Sequence, residues 1–156
     1  MTAAYVTLRV AGETYAVAAS AVSEIVLLQP LTRIPAMPRC ICGLMNLRGT
    51  VMPVVDLARQ LGVGETEISG QTCVAVVDAP ESDGLRSPMG VISDEVQDVV
   101  MLDEASIDPA PAFGARVNPA YLAGVTRIGE RYVLVLDLAR ILSADELLAV
   151  HEAVRS

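Results

Sequence analysis

One stretch of this chain occurs twice. Residues 43–62, GLMNLRGTVMPVVDLARQLG, align without gaps on residues 124–143, GVTRIGERYVLVLDLARILS, and seven of the twenty positions are identical. The identities include Asp56-Leu57-Ala58-Arg59 over Asp137-Leu138-Ala139-Arg140, at an offset of 81. A weaker match lies upstream at an offset of 74, where Tyr15, Val17, Val22, Ile25 and Val26 fall on Met89, Val91, Val96, Val99 and Val100. The pieces keep their order, and the extra length of the second copy fits within residues 108–119, whose prolines and glycine read as a loop. Self-similarity of this kind sets the architecture before any local reading, because it implies two copies of one folding unit.

Within each copy the apolar pattern is short, β-branched and bounded by turn residues, which is the signature of strands. The first copy offers strands at 4–10, 14–18, 22–28, 41–47 and 51–56. The second offers 72–78, 88–93, 96–102, 122–127 and 131–137. Five short strands twice over predict a mainly all-β chain of two five-stranded barrels, since closure removes exposed strand edges. The repeat boundaries place a first barrel repeat in 1–70 and a second in 71–143, within one inseparable unit, and leave open whether strands cross between the barrels. Each Asp-Leu-Ala-Arg starts a helical turn, and Asp56 and Asp137 are expected to cap it by accepting from orphan backbone N–H groups. After residue 143, Ser143 followed by Glu146 forms a capping box, and Leu147, Val150 and Val154 recur at helical spacing. A C-terminal helix over 144–156 is therefore expected.

Composition closes several functional classes. With 53% of 156 residues apolar, the chain can fill two barrel interiors and their junction without a metal or disulfide. Nineteen acidic residues against eleven basic ones, all of them arginine, give a net charge of −8, which disfavours a nucleic-acid groove. Every apolar stretch is interrupted well before the roughly 18 residues a membrane span needs, so no membrane insertion is expected. No basic stretch precedes an apolar block at the amino terminus, and the expected location is the cytoplasm. Three cysteines (Cys40, Cys42, Cys73) and one histidine (His151) fit no paired zinc spacing, and no metal or cofactor is expected. Free thiols in a reducing compartment fit the odd count. A hydrolase using Cys40 or Cys73 with His151 would need the tail to fold back, and no local motif supports it. Asp56 and Asp137 stand in the same context, whereas an acid/base pair needs two environments that separate its pKa values. A catalytic set is absent from this reading, which leaves binding surfaces.

The segment Pro38-Arg-Cys-Ile-Cys-Gly43-Leu-Met-Asn46-Leu47-Arg48-Gly49-Thr-Val-Met-Pro53-Val-Val-Asp56-Leu57 resembles the CheW family of bacterial chemotaxis adaptors. Its Pro-x-x-Ile-x-Gly, Asn-Leu-Arg-Gly and Pro-Val-Val-Asp-Leu elements occur in the family's order and spacing. Tyr15, Val22, Glu24-Ile25, Ile34 and Pro35 upstream, and residues 90–99, 107–111 and 121–137 downstream, extend the similarity over most of the chain. The resemblance implies two SH3-like barrels forming a single CheW-like domain over 1–156. It also implies a non-enzymatic adaptor that couples the cytoplasmic hairpin of methyl-accepting chemoreceptors to the CheA-type histidine kinase, whose regulatory domain shares the fold. Such a protein is recruited to membrane-associated receptor arrays. Related scaffolds serve twitching or developmental systems, so the pathway stays open at this point.

Carried over by position, Arg48 with Asn46 and Gly49 matches the signature coupling loop, although an arginine fork can equally act as an internal brace. The groove that receives the receptor would draw on apolar positions such as Val22, Ile34, Val96, Val99 and Val100, some of them plain core, since only about every second side chain of a strand faces the groove. Glu24 and Ile25 are the expected kinase contacts. Two departures stand out: Cys40 and Cys42 flank the signature Ile41, and the second copy carries Arg127, Gly129 and Glu130 in place of another Asn-Leu-Arg-Gly.

Overall fold

A computed structural model of the chain describes residues 1–80, 86–109 and 117–142. The expected helix at 144–156 lies outside the described residues. In chain order the elements are β1 (Thr2–Val10), β2 (Glu13–Ala18), β3 (Val22–Leu27), β4 (Leu31–Thr32), β5 (Ile41–Leu47), β6 (Thr50–Asp56) and the helical turn α1 (Leu57–Leu61). There follow β7 (Cys73–Pro80), β8 (Arg86–Ser93), β9 (Glu95–Asp103), β10 (Leu122–Ile128), β11 (Arg131–Leu136) and the second helical turn α2 (Leu138–Leu142). All ten strands read from the alternation are present. The two-residue β4 is additional.

Two sheets result, ordered β10-β11-β2-β1-β9 and β3-β7-β8-β6-β5-β4. They are the same sheet twice. Shifting β5 and β6 by 81 gives β10 and β11, and the matches at 74 carry β2 and β3 onto β8 and β9. The registers agree residue by residue: the parallel pairing Val54↔Gly90 between β6 and β8 becomes Val135↔Ala16 between β11 and β2.

The halves 1–70 and 71–143 do not each close their own barrel. What we call the β1 barrel takes β1 and β2 from the first half and β9, β10 and β11 from the second; the β5 barrel takes β3 to β6 from the first and β7 and β8 from the second. Each half thus lends its first hairpin to the other. Linear order cannot reveal this exchange, because the apolar pattern of a hairpin is the same whichever copy of the next strand it pairs with. The crossings themselves are short: the single turn Ala19–Ala21 between β2 and β3, and one residue, Asp94, between β8 and β9.

Closure is also duplicated. β4 continues from β3 at one edge of its sheet and pairs with β5 at the other, Leu31 opposite Met45 and Thr32 opposite Leu44. In the β1 barrel the chain leaving β9 makes the corresponding bridge, Asp108 to Val125. The closing segment passes directly over a glycine that the repeat keeps in both copies. A Cβ added at Gly43 would lie 2.7 Å from the Thr32 carbonyl oxygen, and one added at Gly124 would collide with that of Asp108.

Apolar side chains sort into three clusters. Met45, Met52, Val54, Val74, Val76 and Ile92 fill the β5 barrel. Tyr5, Ala16, Leu102, Val133 and Val135 fill the β1 barrel. The third and largest lies between the barrels and joins strand residues of both sheets to Leu57 and Leu61 of α1 and Leu138 and Ile141 of α2. Strands that serve an interior on one face and the junction on the other are buried on both, which explains the unbroken run from Met52 to Asp56. Each aliphatic side chain fully buried there contributes about 1.5–3 kcal/mol, so the barrels are held as one unit.

Candidate functional site

Arg48 sits at the tip of the hairpin joining β5 to β6. Leu47 pairs with Thr50, and the two residues between them, Arg48 and Gly49, have positive φ angles of 51° and 88°. Two positive φ values are the mark of a type I′ turn, whose twist matches that of the flanking strands. The Gly49 N–H donates to Asn46 Oδ1 at 2.9 Å, so the signature Asn and Gly shape the turn that presents the arginine. From there one guanidinium nitrogen reaches both carboxylate oxygens of Glu24, at 2.6 and 2.7 Å. Arg48 remains 66% exposed and Glu24 38%, so the pair is formed on the surface. Its carboxylate partner pushes the Arg48 pKa above its ordinary value, and the group stays charged at any working pH.

A bulge aims Glu24 at this partner. Val22 pairs with Val77 and Glu24 with Val76, leaving Ser23 as the extra residue, whose hydroxyl donates to the Val76 carbonyl at 2.8 Å. The register therefore turns Val22 to the junction side and Glu24 to the other face. Beyond Glu24, Ile25 and Leu27 point outward on one face of β3, 40% and 62% exposed. Val51, on the strand leaving the Arg48 turn, is 49% exposed.

The other barrel repeats this apolar face. Val99, Met101 and Tyr132 are 65%, 64% and 77% exposed, and they stand at the positions equivalent to Ile25, Leu27 and Val51. It does not repeat the ion pair. Gly129 occupies the place of Arg48, and Asp98 that of Glu24; the Asp98 backbone is tied instead to the Thr7 hydroxyl.

The five positions expected to line one groove are not brought together. Val22 and Val96, equivalent in the repeat, both pack on the junction cluster. Val100 packs on the interior cluster of the β1 barrel, and Val99 is outward because adjacent strand residues face opposite ways. Ile34 lines a separate cavity beside α1. Asp56 and Asp137 act at their helical turns: Asp56 Oδ1 accepts from the Ala58 N–H at 3.0 Å, and Asp137 Oδ1 from the Arg140 N–H at 3.2 Å. Of the residues named for a hydrolase, Cys40 is buried, Cys73 is half-buried, and His151 lies outside the described residues. Sequence reading missed the pairing of Arg48 with Glu24. The short gap between the expected strands 41–47 and 51–56 was the available signal for the turn.

A family model described as the CheW-like domain matches residues 4–146. The chain belongs to the CheW family. It is 32% identical over 144 residues to the chemotaxis protein CheW of Klebsiella aerogenes, covering 92% of this chain and 84% of the relative. It is 29% identical to that of Bacillus subtilis, over 86% and 83% of the two chains. The crystal structure of the scaffolding protein TtCheW from Thermoanaerobacter tengcongensis superimposes with a TM-score of 0.81 at 28% identity, over 94% of this chain and 91% of that one. As a CheW-family protein the chain is a chemotaxis adaptor and scaffold, in a family of scaffolds and not of enzymes. Among its described residues, no helix is long and apolar enough to cross a membrane.

Proposed function

We propose that this CheW-family chain couples the cytoplasmic hairpins of chemoreceptors to the regulatory domain of a CheA-type histidine kinase, with no catalytic activity of its own, on the cytoplasmic face of receptor arrays. The observation that carries the reading is the exposed Arg48–Glu24 pair. It ties the turn between β5 and β6 to β3, the strand that carries the exposed Ile25 and Leu27. A surface ion pair contributes little to stability, which leaves recognition as its use. A kinase domain of the same fold would meet this face through a barrel of its own. The matched face at Val99, Met101 and Tyr132 gives the adaptor a second such contact, so one chain can bridge two partners. Exposed apolar side chains such as Ile25, Leu27, Val99 and Met101 suit protein docking.

The test is co-sedimentation of the full chain with receptor signalling fragments and kinase. Arg48→Ala is expected to reduce ternary assembly about tenfold or more while the urea midpoint stays within that of ordinary surface substitutions. Assembly at the wild-type level by that variant would remove Arg48 from the coupling surface.

A further inference from the structure

Beside α1 a cavity of about 650 Å³ opens between the segment following β4 and the loop after α1. Its volume lies in the range of small-molecule sites, roughly 300–1,000 Å³. Ile34, Met37 and Ile41 supply apolar wall, and Arg33, Arg39 and Arg59 supply charge. Three of the eleven arginines of a chain with net charge −8 thus converge on one hollow.

The carboxylates nearby, Asp56 and Glu65, pair with Arg59 and not with Arg33 or Arg39. Asp56 is 1% exposed, and its oxygens already accept from the Ala58 N–H, the Thr66 N–H and the Thr66 hydroxyl. Arg59 is spread over the Arg39 carbonyl at 2.9 Å, Glu65 at 3.0 Å and Asp56 at 3.4 Å, and its Nε is buried without a hydrogen bond. Arg33 and Arg39 are exposed at the rim and make no ion pair among the described residues. Positive charge focused over a low-dielectric wall attracts an anion, and a guanidinium fork matches a carboxylate in shape.

We propose that this cavity binds a small organic monocarboxylate, its head held by Arg33 and Arg39 and its short aliphatic tail against Ile34, Met37 and Ile41. The site is a property of the chain by itself and does not depend on the adaptor reading. Because Ile34 and the Asp56-capped turn both border it, an occupant would stiffen the segment between β4 and β5.

Amide NMR spectra of the full chain titrated with hexanoate, hexanol and inorganic phosphate test this. Hexanoate is expected to shift amides of residues 33–43 and 66–68 saturably, with a dissociation constant of about 1 mM for so small a ligand. The double variant Arg33→Gln, Arg39→Gln should weaken that constant about tenfold and leave the melting temperature unchanged, since both side chains are exposed. No saturable shift up to about 20 mM hexanoate would overturn the proposal. So would hexanol or phosphate saturating the same amides as well as hexanoate does, because recognition would then need only the tail or only the charge.

Discussion

The two barrels share strand order, register, bulges, closure and a capped helical turn, yet only one of them has been given a charged device at its hairpin tip. In the β5 barrel the turn Arg48-Gly49 reaches Glu24; in the β1 barrel the equivalent turn is Gly129-Glu130, and Arg127 Nε merely donates to the Gly129 carbonyl at 3.1 Å. The caps differ in the same sense. Asp56 is buried and accepts three hydrogen bonds, two of them from Thr66, whereas Asp137 is half-buried and, among the described residues, accepts from the Arg140 N–H and pairs with its guanidinium at 3.5 Å. Duplicated structure has therefore been specialised by side chains at turns and caps, and also in the interiors, where Met45 and Met52 of one barrel stand against Thr126 and Val133 of the other. Polar hydrogen-bonded residues in the β5 barrel pin the loop at Thr66 as well as the turn.

That asymmetry sets the largest expected effect. Asp56→Ala strands buried donors at Ala58 and Thr66 and leaves Arg59 without its buried partner, and should cost about 3–4 kcal/mol. Asp137→Ala removes an ordinary cap and should cost about 1 kcal/mol. Urea midpoints of the two variants, with slopes unchanged, measure the difference. Equal losses would show that burial of Asp56 adds nothing beyond capping.

Closure predicts the opposite outcome, a symmetry. Gly43→Ala and Gly124→Ala both force a methyl against the backbone of the closing segment, and each should destabilise by about 1–3 kcal/mol in the same assay. A harmless Gly124→Ala would mean that the Asp108 bridge, one residue pair against two in β4, can step aside. The identity of these glycines in the repeat was legible as a match, but not as a contact, because the carbonyl that excludes a Cβ comes from 11 residues upstream in one copy and 16 in the other.

Other features divide in the same way. Strands and helical turns could be read from sequence because alternation and the Asp-Leu-Ala-Arg cap are local. Exchange of the first hairpins could not, since both pairings bury the same faces. That only some of Val22, Ile34, Val96, Val99 and Val100 can face one groove follows from strand alternation, but which of them do so is set by bulges in β3 and β9 that the sequence does not announce. Arg48 was found by its motif, but its partner lies 24 residues away and is set by that bulge. Reversing the pair as Glu24→Arg with Arg48→Glu should restore part of any stability lost by either single reversal. It should not restore kinase and receptor co-sedimentation, if the partners read the order of charges. Full restoration of assembly would reduce the pair to a brace.

The smallest effect concerns a position where the barrels differ by one atom group. Cys42 of β5 stands where the other copy has the exposed Ala123. Burial, with Asp56 adding negative charge nearby, pushes the Cys42 thiol from about 9 up to about 11. The thiol of the unfolded chain then ionises first as pH rises. Its contribution to stability is fully present below about pH 9 and is lost as pH approaches about 11. Cys42→Ala makes the two barrels alike at this place, so the fall in urea midpoint between these pH values should be shallower in the variant than in the parent. Thiol labelling gives the kinetic counterpart: at pH 8 the Cys42 thiolate is scarce, and Cys73, whose thiol donates weakly to the Gln71 carbonyl at 3.4 Å near the surface, should react first. Labelling of Cys42 ahead of Cys73 would show that reagent reaches the half-buried Cys42 through the cavity beside α1, which that residue lines.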